Sequence, residues 1–205
     1  MMRFEDVVAK VHAAPARGRR KLVALAGPPA SGKSTLAKRL CAALGAQTAL
    51  VEMDGFHLDN RQLDRLGLRA QKGAPDTFDV GGFTRLVAAL QTEQDIYVPL
   101  FDRAQDCAIA GAGLVAQDCK IVVLEGNYLL FDAPGWRDLA PLWDVSVRLD
   151  PNDATLRARL LARWLAHGLS PADAQARADG NDMANAARIK AAALPATFAM
   201  SEEVI

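Results

Sequence analysis

The sequence lacks any apolar run close to the ~20 residues that a membrane-spanning helix requires, so we expect no membrane association. Its first residues include Glu5 and Asp6 and hold no continuous apolar segment, which argues against a signal peptide. Neither sign of charge is in excess, because 24 lysines and arginines face 24 aspartates and glutamates. This balance argues against a general nucleic-acid binder.

Cysteine is also scarce. Cys41, Cys107 and Cys119 are odd in number and show no C-x-x-C spacing, which argues against a disulfide framework and a structural zinc site. A reducing, cytoplasmic location fits this usage. Internal repeats, low-complexity tracts and linkers rich in proline, glycine or serine are absent as well. The chain therefore predicts a single domain over 1–205 with a sizeable core.

One glycine-rich stretch matches the phosphate-binding pattern G-x-x-x-x-G-K-[ST] without a mismatch. An apolar run at 21–26 predicts a buried strand before it, and leucines at helical spacing over 36–44 predict a helix after it. Strand, glycine loop and helix in this order are typical of a phosphate site. The loop consists of Gly27, Pro28, Pro29, Ala30, Ser31, Gly32, Lys33, Ser34 and Thr35.

The chemistry of phosphate binding explains these residue types. Backbone N–H groups of such a loop and of the following helix N-terminus bind phosphate oxygens, and Gly27 and Gly32 let the backbone approach closely. Lys33 is expected to reach the β- and γ-phosphates, and the Ser34 hydroxyl is expected to ligate Mg²⁺. The loop therefore predicts binding of ATP and Mg²⁺.

Two acidic residues follow predicted strands. Asp54 comes after the strand at 48–53, and Glu125 comes after the strong apolar run at 120–124. In an open parallel sheet, ligands bind at the carboxyl ends of the strands. We expect Asp54 to accept the proton of an acceptor hydroxyl and Glu125 to hold Mg²⁺. A helix cap at Asp54 and a structural acid at Glu125 are the alternatives.

An arginine stripe marks the helix predicted at 153–167. Arg159, Arg163 and His167 are four residues apart and share one face. The two arginines are expected to stabilise the charge of a transferring phosphoryl group as part of a lid over 153–170. The alternative is an ordinary solvated basic face.

Acceptor binding is expected from polar residues that follow strands or lie in the polar insert. The alternatives are a structural histidine and a surface pair of Asp102 with Arg103. The candidates are His57, Asp102, Arg103 and Asn127.

The remaining pattern predicts elements around the site. Amphipathic spacing predicts helices over 3–13 and 80–90, and a hairpin off the main sheet is expected from strands at 96–100 and 109–115. A last long helix is expected over 181–192, followed by a strand within 196–205. The basic residues Arg17, Arg19 and Arg20 are expected in a solvated loop.

Several stretches, taken in order over about 20–190, resemble the uridine kinase, pantothenate kinase and phosphoribulokinase superfamily. Within it they are most similar to bacterial proteins called fructose transport system kinases or nucleoside/nucleotide kinase family proteins. The resemblance implies an α/β P-loop NTPase fold with three layers: a five-stranded parallel sheet with helices on both faces, a helical lid and an acceptor-binding insert at 55–79 and 97–118. The stretches are the phosphate loop, Asp54-Gly55-Phe56-His57, Lys72-Gly73-Ala74-Pro75-Asp76-Thr77-Phe78-Asp79, Phe101-Asp102-Arg103 and Val123-Leu124-Glu125-Gly126-Asn127-Tyr128. Two further sets resemble the lid and late-helix motifs of the bacterial branch: Arg163-Trp164 with His167-Gly168, and Asn181-Asp182 with Asn185-Ala186.

The resemblance implies the same roles for Asp54 as base, for Glu125 as the Mg²⁺-associated acid and for the lid arginines. This sequence differs from uridine kinases after the lid, where His167-Gly168-Leu169 stands in place of an Arg-Gly-Arg signature. The expected function is an ATP-dependent phosphotransferase whose partner is a small-molecule acceptor, such as a sugar, a nucleoside or a pantothenate-like alcohol. The alternatives are a P-loop ATPase or nucleotide-binding regulatory module, and a nucleoside monophosphate kinase using Arg61, Arg65, Arg69 and Arg103.

Overall fold

The computed structural model describes residues 3–201. A five-stranded sheet forms its centre. Its strands are β1 (Lys21–Ala26), β2 (Thr48–Glu52), β5 (Ile121–Gly126), β6 (Val145–Leu149) and β7 (Phe198–Met200). The strand order is β2-β5-β1-β6-β7 and all neighbouring strands are parallel. This confirms the predicted five-stranded parallel sheet.

β1 and β5 are buried along almost their whole length. Their sequences are mostly apolar, as strands of a sheet that is covered on both faces require. Along β1, Leu22 and Ala24 pack into one hydrophobic cluster, whereas Val23 and Leu25 pack into the other. Alternate side chains of β1 thus pack into two different cores, one on each face of the sheet. The arrangement is three-layered.

Seven α-helices of the described residues surround the sheet. α1 and α2 contribute to one core, while α4 and α7 contribute to the other. They are α1 (Phe4–Ala13), α2 (Lys33–Leu44), α3 (Asn60–Leu66), α4 (Val80–Leu90), α5 (Asp153–Ala166), α6 (Pro171–Arg177) and α7 (Met183–Ala191).

The predicted hairpin is present as a separate antiparallel sheet of β3 (Ile96–Asp102) and β4 (Cys107–Val115). A 3₁₀ turn over Met53–Phe56 follows β2 and packs against both strands of this hairpin. A Cβ atom on Gly55 would lie only 2.4 Å from the carbonyl oxygen of Pro99. This close approach leaves no room for a side chain at residue 55. β2 ends at Glu52, one residue before the predicted end, because the 3₁₀ turn begins at Met53.

The C-terminal part differs from the prediction in one element. The helix expected over 181–192 begins at Met183, because residues Ala178–Asp182 form a π-helical segment. The strand expected within 196–205 is β7, and residues 202–205 lie outside the described residues. No helix within 3–201 is long and apolar enough to cross a membrane.

Arg20 was expected in a solvated loop, and this prediction is wrong: its side chain is fully buried. The guanidinium donates to backbone carbonyl oxygens at the end of α4 and just after α4 and β4, so a positive charge lies at the carboxyl end of a helix. Arg17 and Arg19 are exposed, as predicted. The Arg20 acceptors are Leu90, Glu93, Gln94 and Ala116.

Replacing Arg20 by leucine should lower the free energy of unfolding by at least ~3 kcal/mol, because four carbonyl oxygens lose their donor. Urea unfolding followed by circular dichroism measures this. The control is Arg19→Leu, whose exposed side chain donates to the Gln117 carbonyl. A loss at Arg20 no larger than at Arg19 would contradict a clamping role for the buried guanidinium.

Candidate active site

The phosphate-binding loop joins β1 to α2 at the carboxyl edge of the sheet. Two positions of the loop require glycine, because a side chain there would clash with the backbone or strain it. A Cβ atom on Gly27 would lie 2.8 Å from the carbonyl oxygen of Leu149, and Gly32 adopts a φ of 94° where it caps α2. The loop and the first turn of α2 line one cleft of about 970 Å³. The N–H groups of such a turn favour anions.

The register of the sheet brings the two predicted acids to this cleft. Ala26, the last residue of β1, pairs with Gly126 of β5, and Glu52 of β2 pairs with Glu125. The three strands therefore end together, and Asp54 and Glu125 both line the cleft beside the loop. The sequence-based placement of both acids at the loop edge agrees with the geometry.

Lys33 is 7% exposed, and its ammonium group donates to the carbonyl oxygen of Pro28 at 2.9 Å. Burial lowers the pKa of Lys33, while the nearby charges of Glu125 and Asp54 raise it. The side chain folds back over its own loop, where the ammonium can exchange a carbonyl partner for a phosphate oxygen.

The Ser34 hydroxyl donates to Oε1 of Glu125 at 3.0 Å. Glu125 is 4% exposed, and this burial raises the pKa of its carboxyl group while Lys33 opposes the shift. Residues 3–201 contain no group of three or more His, Cys, Asp or Glu that could hold a metal by itself. Mg²⁺ commonly takes one or two carboxylates and completes its shell with phosphate and water, so this pair fits such an ion.

Asp54 lies in the 3₁₀ turn after β2, and its Oδ2 accepts a hydrogen bond from the guanidinium of Arg103 at 2.9 Å. Arg103 directly follows β3, so the hairpin reaches across the cleft to the sheet edge. The pair is partly exposed, with 24% of the Asp54 side chain and 55% of the Arg103 side chain accessible. Both residues line the cleft.

His57 lies between the rings of Phe78 and Phe101, with ring centroids 4.0 and 4.7 Å away. Its Nδ1 is 2.8 Å from the carbonyl oxygen of Asp54, and burial lowers the pKa of the ring below its usual value. A carbonyl only accepts, so Nδ1 carries the hydrogen and Nε2 of the neutral ring is an acceptor. His57 also lines the cleft.

The predicted lid corresponds in position to α5 and the turn after it. Arg163 and His167 line the cleft, whereas Arg159 donates to the carbonyl oxygen of Ser31 at 3.4 Å. One arginine of the stripe therefore contacts the backbone of the phosphate loop, and the next one faces the open space.

Asp102 does not reach the cleft, contrary to the expectation of acceptor binding. Its carboxylate accepts hydrogen bonds from the backbone of Ala104 and Gln105 and from the Gln105 side chain, so it closes the turn between β3 and β4. Asn127 does line the cleft, and it also borders a cavity of about 60 Å³ that Gly27 and Pro28 line.

Arg177 lines the cleft at the end of α6 and is not among the residues predicted from the sequence. Helical spacing could not connect it to the α5 stripe, because Gly168 with a φ of 85° and the start of a new helix at Pro171 interrupt the period. Lys72 was noted only as part of a motif. It pairs with Asp106 at 2.9 Å on the cleft wall.

Comparisons with known proteins agree with this geometry. A family model described as the phosphoribulokinase/uridine kinase family matches residues 22–167. A provisionally named uridine kinase of Schizosaccharomyces pombe is 37% identical over 179 residues, which cover 81% of this chain and 76% of that protein. A pantothenate kinase of Leifsonia xyli is 32% identical over 151 residues, which cover 70% of this chain and 45% of that protein.

One solved structure is similar over nearly the whole chain. It is the crystal structure of a provisionally named fructose transport system kinase from Silicibacter sp. TM1040, with 53% identity and a TM-score of 0.93, covering 98% of this chain and 100% of the other. These matches confirm the resemblance and the P-loop kinase fold predicted from the motifs. The chain belongs to the phosphoribulokinase/uridine kinase family and is an ATP-dependent small-molecule kinase.

Proposed function

We propose that the protein transfers the γ-phosphoryl group of ATP to a hydroxyl of a small metabolite, such as a sugar, a nucleoside or a pantothenate-like alcohol. One observation carries this proposal: the carboxylate of Asp54 lines the same cleft as the phosphate-binding loop. Transfer to an alcohol needs a carboxylate within hydrogen-bond reach of that hydroxyl.

The proposed organisation is one kinase domain with the donor and acceptor on opposite sides of Asp54. ATP binds at 27–35, the lid is 153–170, and the insert at 55–79 and 97–118 holds the acceptor. Fold and cleft support this division, because the loop, the lid and the insert all contribute walls to one cavity.

On the donor side, Lys33 moves its ammonium group from the Pro28 carbonyl to the β- and γ-phosphate oxygens. Ser34 and Glu125 would hold Mg²⁺, which supplies charge neutralisation at the phosphates. The backbone of the loop and the first turn of α2 orient the phosphates. Positioning and electrostatics account for most of the catalysis in this kind of transfer.

On the acceptor side, Arg103 fixes the orientation of Asp54 through Oδ2. We assign the other oxygen, Oδ1, to accept the proton of the attacking hydroxyl. His57 presents Nε2 as an acceptor for a neighbouring hydroxyl, and Asn127 offers an amide at the cleft floor. Asp102 is left out of this set because the turn engages its carboxylate.

The lid arginines are proposed to stabilise the phosphoryl group in flight. Arg163 lines the cleft and acts on the transferring group directly. Arg159 acts through the loop, because it contacts the Ser31 carbonyl. The negative charge that spreads over the phosphoryl oxygens in the transition state is the target of such arginines.

A nucleoside monophosphate kinase would need several free arginines on the acceptor side. Arg61 and Arg65 are exposed and do not line the cleft, and Arg103 is paired with Asp54. Arg69 lines the cleft but lies 3.8 Å from the carboxylate of Asp64. None of the four insert arginines is therefore both in the cleft and free of a carboxylate partner, which favours an alcohol acceptor over this alternative.

The decisive experiment measures ADP formation with separate sugars, nucleosides, pantothenate and nucleoside monophosphates. We expect ADP formation to depend on one class of alcohol. Full-rate hydrolysis without any acceptor would instead support an ATPase or regulatory module. A response confined to nucleoside monophosphates would support the monophosphate kinase.

Replacing Asp54 by asparagine should lower kcat by about 10²-fold, because the acceptor hydroxyl loses its general base. ATP affinity, measured by calorimetry, should stay within about twofold, since the phosphates bind elsewhere. The control is Asp118→Asn, an exposed acid that does not line the cleft. Normal turnover of the Asp54 variant would rule out this residue as the base.

Replacing Arg163 by alanine should lower kcat at least ~10-fold and raise the KM for ATP by a smaller factor, because the arginine acts mainly on the transition state. Arg157→Ala is the matched control on the same helix, since that arginine is exposed and pairs with Asp179. An unchanged kcat in the Arg163 variant would contradict a catalytic role and support the alternative that Arg163 belongs to an ordinary solvated basic face.

A further inference from the structure

Trp164 differs from the other tryptophans of the chain. Trp136 and Trp143 are 3% and 6% exposed in the core, whereas Trp164 is half-buried and lines the cleft. Its indole N–H donates to Oδ2 of Asp182 at 2.6 Å. Asp182 is 9% exposed, and this burial raises the pKa of its carboxyl group. A buried acid thus anchors an aromatic ring at the cleft wall.

Asp182 is the last residue of the π-helical segment Ala178–Asp182. Single π-helical turns inside helices are uncommon and frequently mark functional sites. Here the segment connects α6 to α7 and delivers the carboxylate to the indole of α5. The irregular backbone therefore serves a contact between two helical elements on one cleft wall.

Two guanidinium groups stack against the same indole. The Cζ atom of Arg163 lies 5.4 Å from the ring centroid, and that of Arg177 lies 4.6 Å from it. Both distances are within the range of cation–π attraction. The two arginines come from different helices, so Trp164 is the point at which they converge.

Neither of these arginines has a carboxylate at ion-pair distance within the described part of the chain. Arg157, also on α5, shows the contrast, because it is exposed and pairs with Asp179 at 2.6 Å. The charge of Arg157 is thus neutralised outside the cleft, whereas Arg163 and Arg177 line the cleft and keep their charge available to an anion.

The position of α5 places this charge on the donor side. Arg159 contacts the Ser31 carbonyl of the phosphate loop, and Arg163 is one helical turn further along the same face. The charge of Arg163 also acts on Lys33, whose pKa it helps to lower. The cluster therefore lies beside the group expected to hold the γ-phosphate.

We propose that Trp164 and Asp182 form a bracket that holds Arg163 and Arg177 towards the γ-phosphate of ATP, and that Arg177 is a second arginine of the donor site. This inference rests on the proposed function and adds to it. Arg177 contacts the phosphate, while Trp164 and Asp182 act as positioning residues. The bracket aligns two cations before ATP arrives, which reduces the cost of ordering two flexible side chains.

The test compares ATP with ADP, both with Mg²⁺, by calorimetry on the wild type and on Arg177→Gln. We expect ATP affinity to fall about 10-fold and ADP affinity to stay within about twofold, because a charged hydrogen bond to the γ-phosphate is lost. Arg85→Gln is the control, since it removes an exposed arginine of α4 that does not line the cleft.

The bracket itself has a spectroscopic signature. ATP should change the tryptophan emission of the wild type, and Trp164→Phe should abolish the change, because the other two tryptophans are buried in the core. Asp182→Ala should shift the emission of the free protein and weaken ATP more than ADP. Asp182→Asn, which keeps an acceptor for the indole, should lie between that variant and the wild type.

The outcomes separate the two proposals. A wild type that fails to bind ATP would overturn the proposed function together with this inference. If the wild type binds ATP but Arg177→Gln binds it within twofold as well, only the inference is overturned. Equal losses of ATP and ADP affinity would also overturn it, because they would place Arg177 away from the γ-phosphate.

Discussion

The parallel register of three strands is the constraint on which the site depends. β1, β5 and β2 end at one edge because Ala26 pairs with Gly126 and Glu52 pairs with Glu125. Backbone hydrogen bonds fix these pairings, and the cores on both faces oppose a slip of the register, since a shift by one residue would move each core side chain into the core on the opposite face. The phosphate loop, Asp54 and Glu125 share one cleft as a result.

The buried charged groups at this edge, Lys33 and Glu125, lower the stability of the fold but are suited to catalysis. Desolvation moves the pKa of Lys33 down and that of Glu125 up, so burial favours the neutral form of each group, and their mutual attraction counters this. Such groups are costly to keep inside a protein. Their position between a phosphate loop and a candidate base is typical of an active site, where ionisable groups are held in low-dielectric surroundings for catalysis.

Local patterns predicted most of the architecture because they record which faces are buried. The apolar run of β1 and the leucine spacing of α2 each follow from one stretch of sequence, and both elements agree with the structure. Predictions failed at two polar side chains whose hydrogen-bond partners the hydrophobic pattern does not reveal. Arg20 was expected in solvent, yet it meets carbonyl oxygens about 70 to 96 residues away. Asp102 was expected at the acceptor, yet it closes its own turn.

The sequence by itself determined the phosphate loop and the acids at the ends of β2 and β5, because a strand end and the loop that follows it are encoded in consecutive residues. Tertiary structure alone decided that Arg103 reaches Asp54 and that Arg163 and Arg177 converge on Trp164. The contacts of Arg103 with Asp54 and of Arg177 with Trp164 join separate elements, and the direction of each side chain depends on how those elements pack. No spacing along the chain specifies that packing, so only the folded structure shows which of these side chains meet in the cleft.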